Sequence, residues 1–158
     1  MLRQHLSLVS QCISWNPAQF ARNIRSQKDQ QRAQLQAQQQ AERLRQIEVS
    51  RMSIAATTFL LEHVSWKKDV YHVARRNVAE ILERATHMLY RLGGSNDLSW
   101  SQLGPVLDAQ CDSPDQRRQQ LASAVLYLLQ HGRCCHPDGE WTADSLGQLY
   151  SQIVAREV

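Results

Sequence analysis

The side chains best suited to chemistry lie close together, around residue 135. They are two histidines and two adjacent cysteines: His131, Cys134, Cys135 and His136. All four are acceptable ligand types for zinc, but structural zinc sites usually use two separated ligand pairs that wrap one ion. Adjacent cysteines in a strand point to opposite faces. We therefore predict no metal site here, and a turn in which one cysteine packs inward as a small apolar side chain.

The common catalytic motifs do not occur in the sequence. It contains no GxSxG elbow, no HExxH helix and no phosphate-binding glycine loop. Glu62, His63, Glu80 and Glu83 fall in helix-forming sequence, where solvated charges are the usual explanation. We predict that the chain is not an enzyme and has no catalytic residue, no cofactor and no small-molecule substrate.

The elements that must position these residues are predicted to be mainly helical. Residues 18–92 contain neither glycine nor proline, and their first part is rich in glutamine and other good helix formers. Later in this stretch, apolar residues recur with the spacing of one helix face. We predict a long Gln-rich helix, either continuous or broken near residues 63–66 into a hairpin, and ended by Gly93-Gly94.

The sequence divides into three parts. Residues 1–25 form a basic lead-in in which Pro17 suits the first position of a helix, residues 26–93 form the extended helical or coiled-coil-like region, and residues 96–158 form a small C-terminal domain.

The C-terminal domain is predicted to contain helices and one short β-hairpin. Ser113 and Pro114 suit the cap and first position of a helix that Gly132 ends, and Pro137-Asp138-Gly139 suits the turn of the hairpin. A final helix follows. This order of helix, turn, helix and hairpin is similar to that of winged-helix modules. A plain helical bundle with an irregular loop is the alternative.

The charge is unevenly distributed. Residues 1–51 carry eight basic and three acidic side chains, a net charge of +5, whereas residues 95–158 carry four basic and eight acidic side chains, a net charge of −4. The two ends of the chain are therefore expected to favour partners of opposite charge.

The apolar face of the extended region is predicted to contact a protein partner or a second copy of the chain. Its residues are Phe59, Leu60, Val64, Tyr71, Val78, Ile81, Leu82 and Leu89. In outline, a Gln/Ala/Glu-rich helix followed by a small end domain resembles the peripheral-stalk and stator subunits of secretion or rotary ATPases. This resemblance implies an adaptor or structural subunit, and no site residue is carried over from it.

DNA binding is the alternative function. In a winged helix, the recognition helix would present Gln116, Arg117, Arg118 and Gln120 to the major groove, with help from the basic N-terminal section. The net charge of −4 over residues 95–158 opposes phosphate binding, as do Asp138 and Glu140 in the predicted hairpin.

A cytoplasmic location is expected from the cysteines. The four cysteines are unevenly spaced, which is not the pattern of a disulfide framework. Because no acidic residue precedes Asp29, an organellar transit peptide is a minor alternative. We expect residues 1–28 to dock on the rest of the chain or on a partner. Binding to a membrane surface is the less favoured alternative.

Overall fold

The computed structural model describes residues 15–100, 114–132 and 143–155. These residues form four helices, which are α1 (Pro17–His63), α2 (Asp69–Leu92), α3 (Pro114–His131) and α4 (Ala143–Val154). No strand occurs within those three ranges. The prediction of a mainly helical chain is confirmed, whereas the predicted β-hairpin, Ser113, Cys134, Cys135 and His136 lie outside the described residues.

Helix α1 begins where the sequence predicted a start. Pro17 is its first residue, and the Asn16 side chain caps it, its Oδ1 accepting the backbone N–H groups of Ala18 at 3.1 Å and Gln19 at 3.4 Å. Proline suits this position because the first-turn N–H groups have no partner within the helix. The cap satisfies two of the remaining donors.

Of the two predicted forms of the extended region, the structure has the broken one. Helix α1 ends at His63 and α2 begins at Asp69. The indole Nε1 of Trp66 donates to the carbonyl oxygen of Leu61 at 3.4 Å, so a side chain satisfies one of the carbonyls left open at the end of α1. The chain then re-enters a helix from Lys68, which is in an extended conformation.

The second half of α1 and helix α2 form an antiparallel hairpin. At the end far from the turn, the Arg43 guanidinium donates to the carbonyl oxygen of Leu92, from Nη2 at 2.8 Å and from Nε at 3.3 Å. Between these ends, Ile54, Ala85 and Leu89 form a small buried cluster. The hairpin is therefore held by contacts along its whole length.

Helix α2 ends in a Schellman motif. Gly93 has φ of 71°, and its N–H donates to the carbonyl oxygen of Tyr90 while that of Gly94 donates to Leu89, both at 3.1 Å. Glycine is needed at the first position because other residues are strained at positive φ. The predicted C-cap is confirmed.

Helices α3 and α4 complete the core. The apolar residues of α3 recur with helical spacing, and Leu121, Ala124, Val125 and Leu128 are buried, whereas Leu129 is half-buried. Helix α4 packs against both α3 and α2. The amide nitrogen of Asn77 on α2 donates to the hydroxyl of Ser145 on α4, and both residues are buried. A polar contact therefore fixes how α4 lies on the hairpin.

The chain comprises two compact units, residues Met1–Glu42 and Arg43–Val158, here called unit 1 and unit 2. In unit 1, every residue from 15 to 42 is exposed. In unit 2, one large core joins residues of all four helices: Ala55, Leu60, Tyr71, Ala74, Val78, Ile81, Leu121, Ala124, Val125, Leu128, Leu146, Leu149 and Ile153. All the buried residues that the structure describes therefore belong to unit 2.

Candidate functional sites

The apolar face that we predicted to meet a partner lies in the core of unit 2. Phe59 is half-buried against the large core, and Leu82 is half-buried against the small cluster. The other six of the eight residues are buried in one or the other: Leu60, Val64, Tyr71, Val78, Ile81 and Leu89. Helical spacing correctly indicated a buried face. The side chains that cover it come from the same chain, so another chain could reach it only if the core opened.

The four residues considered for DNA contact do not form one exposed row. Gln120 is buried with 6% of its surface exposed, and the Arg118 guanidinium lies 2.9 Å from the carboxylate of Asp115. Gln116 and Arg117 are exposed, and Gln116 has another partner within the chain. Arg117 is therefore the one cation of the predicted set without an ion pair in the part of the chain that the structure describes.

The exposed helix of unit 1 carries large apolar side chains. Trp15, Phe20, Ile24 and Leu35 are 69%, 52%, 36% and 55% exposed, and the rings of Trp15 and Phe20 lie 6.2 Å apart. At about 100° per residue, the last three fall within an arc of about 60°. We call Phe20, Ile24 and Leu35 the unit 1 apolar face, and Trp15 adjoins it at the ring of Phe20. The sequence contained its signal, which was three bulky apolar residues at the spacing of one helix face.

One flank of the unit 1 apolar face is basic. On a helical projection, Lys28, Arg32 and Arg25 follow one edge, while Asn23 and Gln27 lie along the other. Because the flank with charge is basic, this face suits a partner with acidic side chains beside its own apolar residues.

A cavity of about 500 Å³ opens in unit 2. Three segments line it: the last turns of α1, the chain between α2 and Trp100, and the first turns of α3. Its lining residues are Ile54, Ala55, Thr58, Phe59, Glu62, His63, Asn96, Leu98, Ser99, Trp100, Arg117 and Gln120. It combines an apolar bed with one carboxylate, one guanidinium and one imidazole, a composition typical of binding sites.

Aromatic rings follow one another along this region of unit 2. The Phe59 ring stacks on His63 with centroids 4.4 Å apart and lies 6.4 Å from Trp100. The Trp100 ring meets Tyr127 edge-on at 6.2 Å, and Tyr127 lies 4.6 Å from His131. His131 is one of the four residues of zinc-ligand type in the sequence. Its described contact is with the ring of Tyr127.

Two further properties concern the described residues only. They contain no group of three or more His, Cys, Asp or Glu side chains placed to hold a metal ion. None of the helices in the described ranges is both long and apolar enough to cross a membrane.

Comparisons of the chain with protein-family models, with curated proteins and with solved structures found no match.

Proposed function

We propose that this chain is a non-enzymatic adaptor or structural subunit that binds another protein chain through the exposed helix of unit 1. The observation that carries the proposal is the exposure of every residue from 15 to 42, including Trp15, Phe20, Ile24 and Leu35. The acidic C-terminal part supplies a second contact, in the outline of stator-type subunits.

The physics of isolated helices supports a partner for unit 1. Nucleating a helix is unfavourable, and most helical stability in proteins comes from packing an amphipathic face. No packing within the described chain supplies this for residues 15–42. Phe20 and Ile24 are neighbours on this face, Leu35 lies on it about three turns later, and exposed apolar patches often mark interaction sites. A protein surface that covers the unit 1 apolar face would therefore stabilise the helix.

A double substitution on the unit 1 apolar face tests the proposal. The chain is purified from its source cells with co-eluting proteins, and the mass of the complex is measured. Phe20→Gln with Ile24→Gln is expected to remove the partner, because both side chains are exposed and lie on the same face. Ala33→Gln with Ala37→Gln is the matched control, since these residues face the other side of the helix.

Loss of the partner in the first variant and retention in the control would support the proposed surface. Retention in both, or a wild-type chain that elutes alone at the mass of a monomer, would contradict it.

A winged-helix DNA-binding regulator is the second candidate. It is favoured by the start of α3 at Pro114, as predicted, and by the exposed Arg117. It is disfavoured by the ion pair of Arg118 with Asp115, by the burial of Gln120 and by the net charge of −4 over residues 95–158. Binding of generic duplex that weakens by orders of magnitude between about 50 and 200 mM salt would support this candidate over the adaptor.

A cytoplasmic location belongs to the proposal. It is supported by the four unevenly spaced cysteines, which suit a reducing compartment better than a disulfide framework.

A further inference from the structure

The cavity of unit 2 is lined by opposite charges that no described residue pairs. Glu62 and Arg117 both line it and are exposed. Neither takes part in an ion pair or hydrogen bond among the described residues, whereas Arg118, one position later, is held 2.9 Å from Asp115. The chain thus neutralises one of two neighbouring arginines and leaves the other beside the cavity.

The helix ends reinforce this separation of charge. Glu62 lies in the last turn of α1, which ends at His63, and Arg117 lies in the first turn of α3, which begins at Pro114. The C-terminal end of a helix carries a partial negative charge and the N-terminal end a partial positive charge. Each helix end therefore adds a partial charge of the same sign as the side chain that it carries.

The same cavity also has an apolar and aromatic lining. Ile54, Ala55 and Trp100 line the cavity with 4%, 4% and 5% of their surfaces exposed, and the Phe59 ring adjoins Trp100. The buried Trp100 indole Nε1 has no hydrogen-bond partner in the part of the chain that the structure describes. The volume of about 500 Å³ falls in the range of small-ligand sites and exceeds a single aliphatic side chain.

We propose that this cavity binds a short segment of a protein partner in which an apolar side chain lies between one basic and one acidic side chain. The basic side chain faces Glu62, the acidic side chain faces Arg117, and the apolar side chain lies on Phe59 and Trp100. A ligand with only one charge would leave either Glu62 or Arg117 unpaired. The proposal adds a second contact to the adaptor function and does not depend on the unit 1 apolar face.

Capped tripeptides test the proposal on the full-length chain. The probes are acetylated and amidated Lys-Phe-Asp and Asp-Phe-Lys, which cover both chain directions, with the neutral Gln-Phe-Asn as control. Binding is followed by NMR titration of the Trp100 indole N–H, identified by its absence in Trp100→Phe. One mixed-charge peptide is expected to bind about fivefold more tightly than the neutral peptide, because exposed ion pairs contribute at most about 1 kcal/mol each.

Substitution of each charged residue tests its separate contribution to peptide affinity. Glu62→Gln should lose about two- to threefold in affinity for the mixed peptide, and Arg117→Gln should lose a similar factor. The matched controls are Glu83→Gln, on α2, and Arg118→Gln, whose guanidinium already has a partner. Neither control should change binding.

A reversed charge provides a gain of affinity that misfolding cannot imitate. Glu62→Lys is expected to prefer acetylated and amidated Asp-Phe-Asp over both mixed peptides. Equal binding of charged and neutral peptides, an unchanged affinity in Glu62→Gln and Arg117→Gln, or tighter binding of free phenylalanine than of every peptide would overturn the proposal.

The outcome is independent of the proposed function of unit 1. The same titration on the variant with Phe20→Gln and Ile24→Gln should give unchanged peptide affinity. A failure of peptide binding would therefore leave the unit 1 surface standing, and a failure of partner binding at unit 1 would leave the cavity standing.

Discussion

At the scale of single residues, two glycines of unit 2 should respond in opposite directions to the same substitution. Gly93 has φ of 71° in the Schellman motif, so alanine there is expected to lower the free energy of unfolding by about 1–2 kcal/mol. Gly147 lies within α4, and an added Cβ would meet nothing within 4 Å. Alanine at this position should raise the free energy of unfolding by about 0.5–1 kcal/mol.

Urea unfolding of both variants beside the wild-type chain measures the difference. Gly94→Ala should also lower the free energy of unfolding, because its Cβ would collide with the Leu89 side chain and crowd Ile47. If Gly93→Ala and Gly147→Ala shifted stability in the same direction, the assigned end of α2 or the helical state of Gly147 would be wrong.

Arg43 is the second residue with a specific prediction. Its guanidinium makes two bonds to the Leu92 carbonyl oxygen, which is one of the acceptors left open at the end of α2. Arg43→Ala is expected to lower the free energy of unfolding by about 0.5–1.5 kcal/mol, the range of an ordinary hydrogen bond and not that of a charged one, because the pair is exposed. Arg25→Ala, in unit 1, should change it by less than about 0.5 kcal/mol.

At the scale of elements, the contact between α2 and α4 includes a buried polar pair, Asn77 and Ser145. Asn77→Ala or Ser145→Ala alone should lower the free energy of unfolding by about 1–3 kcal/mol, since each leaves a buried polar group without its partner on the other helix. The double variant should lose less than the sum, with a coupling of at least about 0.5 kcal/mol.

The control for this pair is Asn77→Ala combined with Ser123→Ala, because the Ser123 hydroxyl bonds a carbonyl of its own helix. These two losses should add. Additivity in the Asn77 and Ser145 pair as well would contradict the contact.

Element boundaries were predictable where local chemistry sets them. Pro17 and Pro114 begin helices and Gly93 ends one, because a missing N–H or a positive φ acts at a single position. The sequence does not decide between a continuous helix and a break after His63, since no proline or glycine marks the break. Packing of the hairpin and of α3 and α4 favours the break, and these contacts join residues far apart in the chain.

The partner of an apolar face was not predictable from its spacing. The periodicity around Val78 and Ile81 indicates burial, and both side chains have no exposed surface. It does not say whether a second chain or α3 and α4 provide the cover. The cavity was missed for the same reason, because Glu62, Trp100 and Arg117 meet only after three separate segments have folded together.

At the scale of the whole molecule, the described chain divides into an exposed unit 1 and a unit 2 that contains all the described buried residues. Ile81→Ala should lower the free energy of unfolding by about 2–5 kcal/mol, because the side chain is fully buried in the unit 2 core. Leu35→Ala should change it by less than about 0.5 kcal/mol, because the side chain is 55% exposed. Urea unfolding measures both, and a large loss in Leu35→Ala without a partner present would contradict the division.

Removal of unit 1 extends this prediction. A chain that begins at Arg43 should keep its free energy of unfolding within about 1 kcal/mol, because the described buried residues all lie in unit 2. A chain that ends at residue 142 is the control. It lacks Leu146, Leu149 and Ile153, which have no exposed surface, and should not fold cooperatively.

The fluorescence of the exposed Trp15 indole should report whether a partner covers the unit 1 apolar face. Trp15 is 69% exposed whereas Trp100 is 5% exposed, so iodide should quench the emission of the first far more than that of the second. A partner that covers the unit 1 apolar face would move the emission of Trp15 to shorter wavelength and shield it from iodide. Comparison with Trp15→Phe, which keeps Trp66, Trp100 and Trp141, would separate this signal from the other emission and follow assembly without a dye.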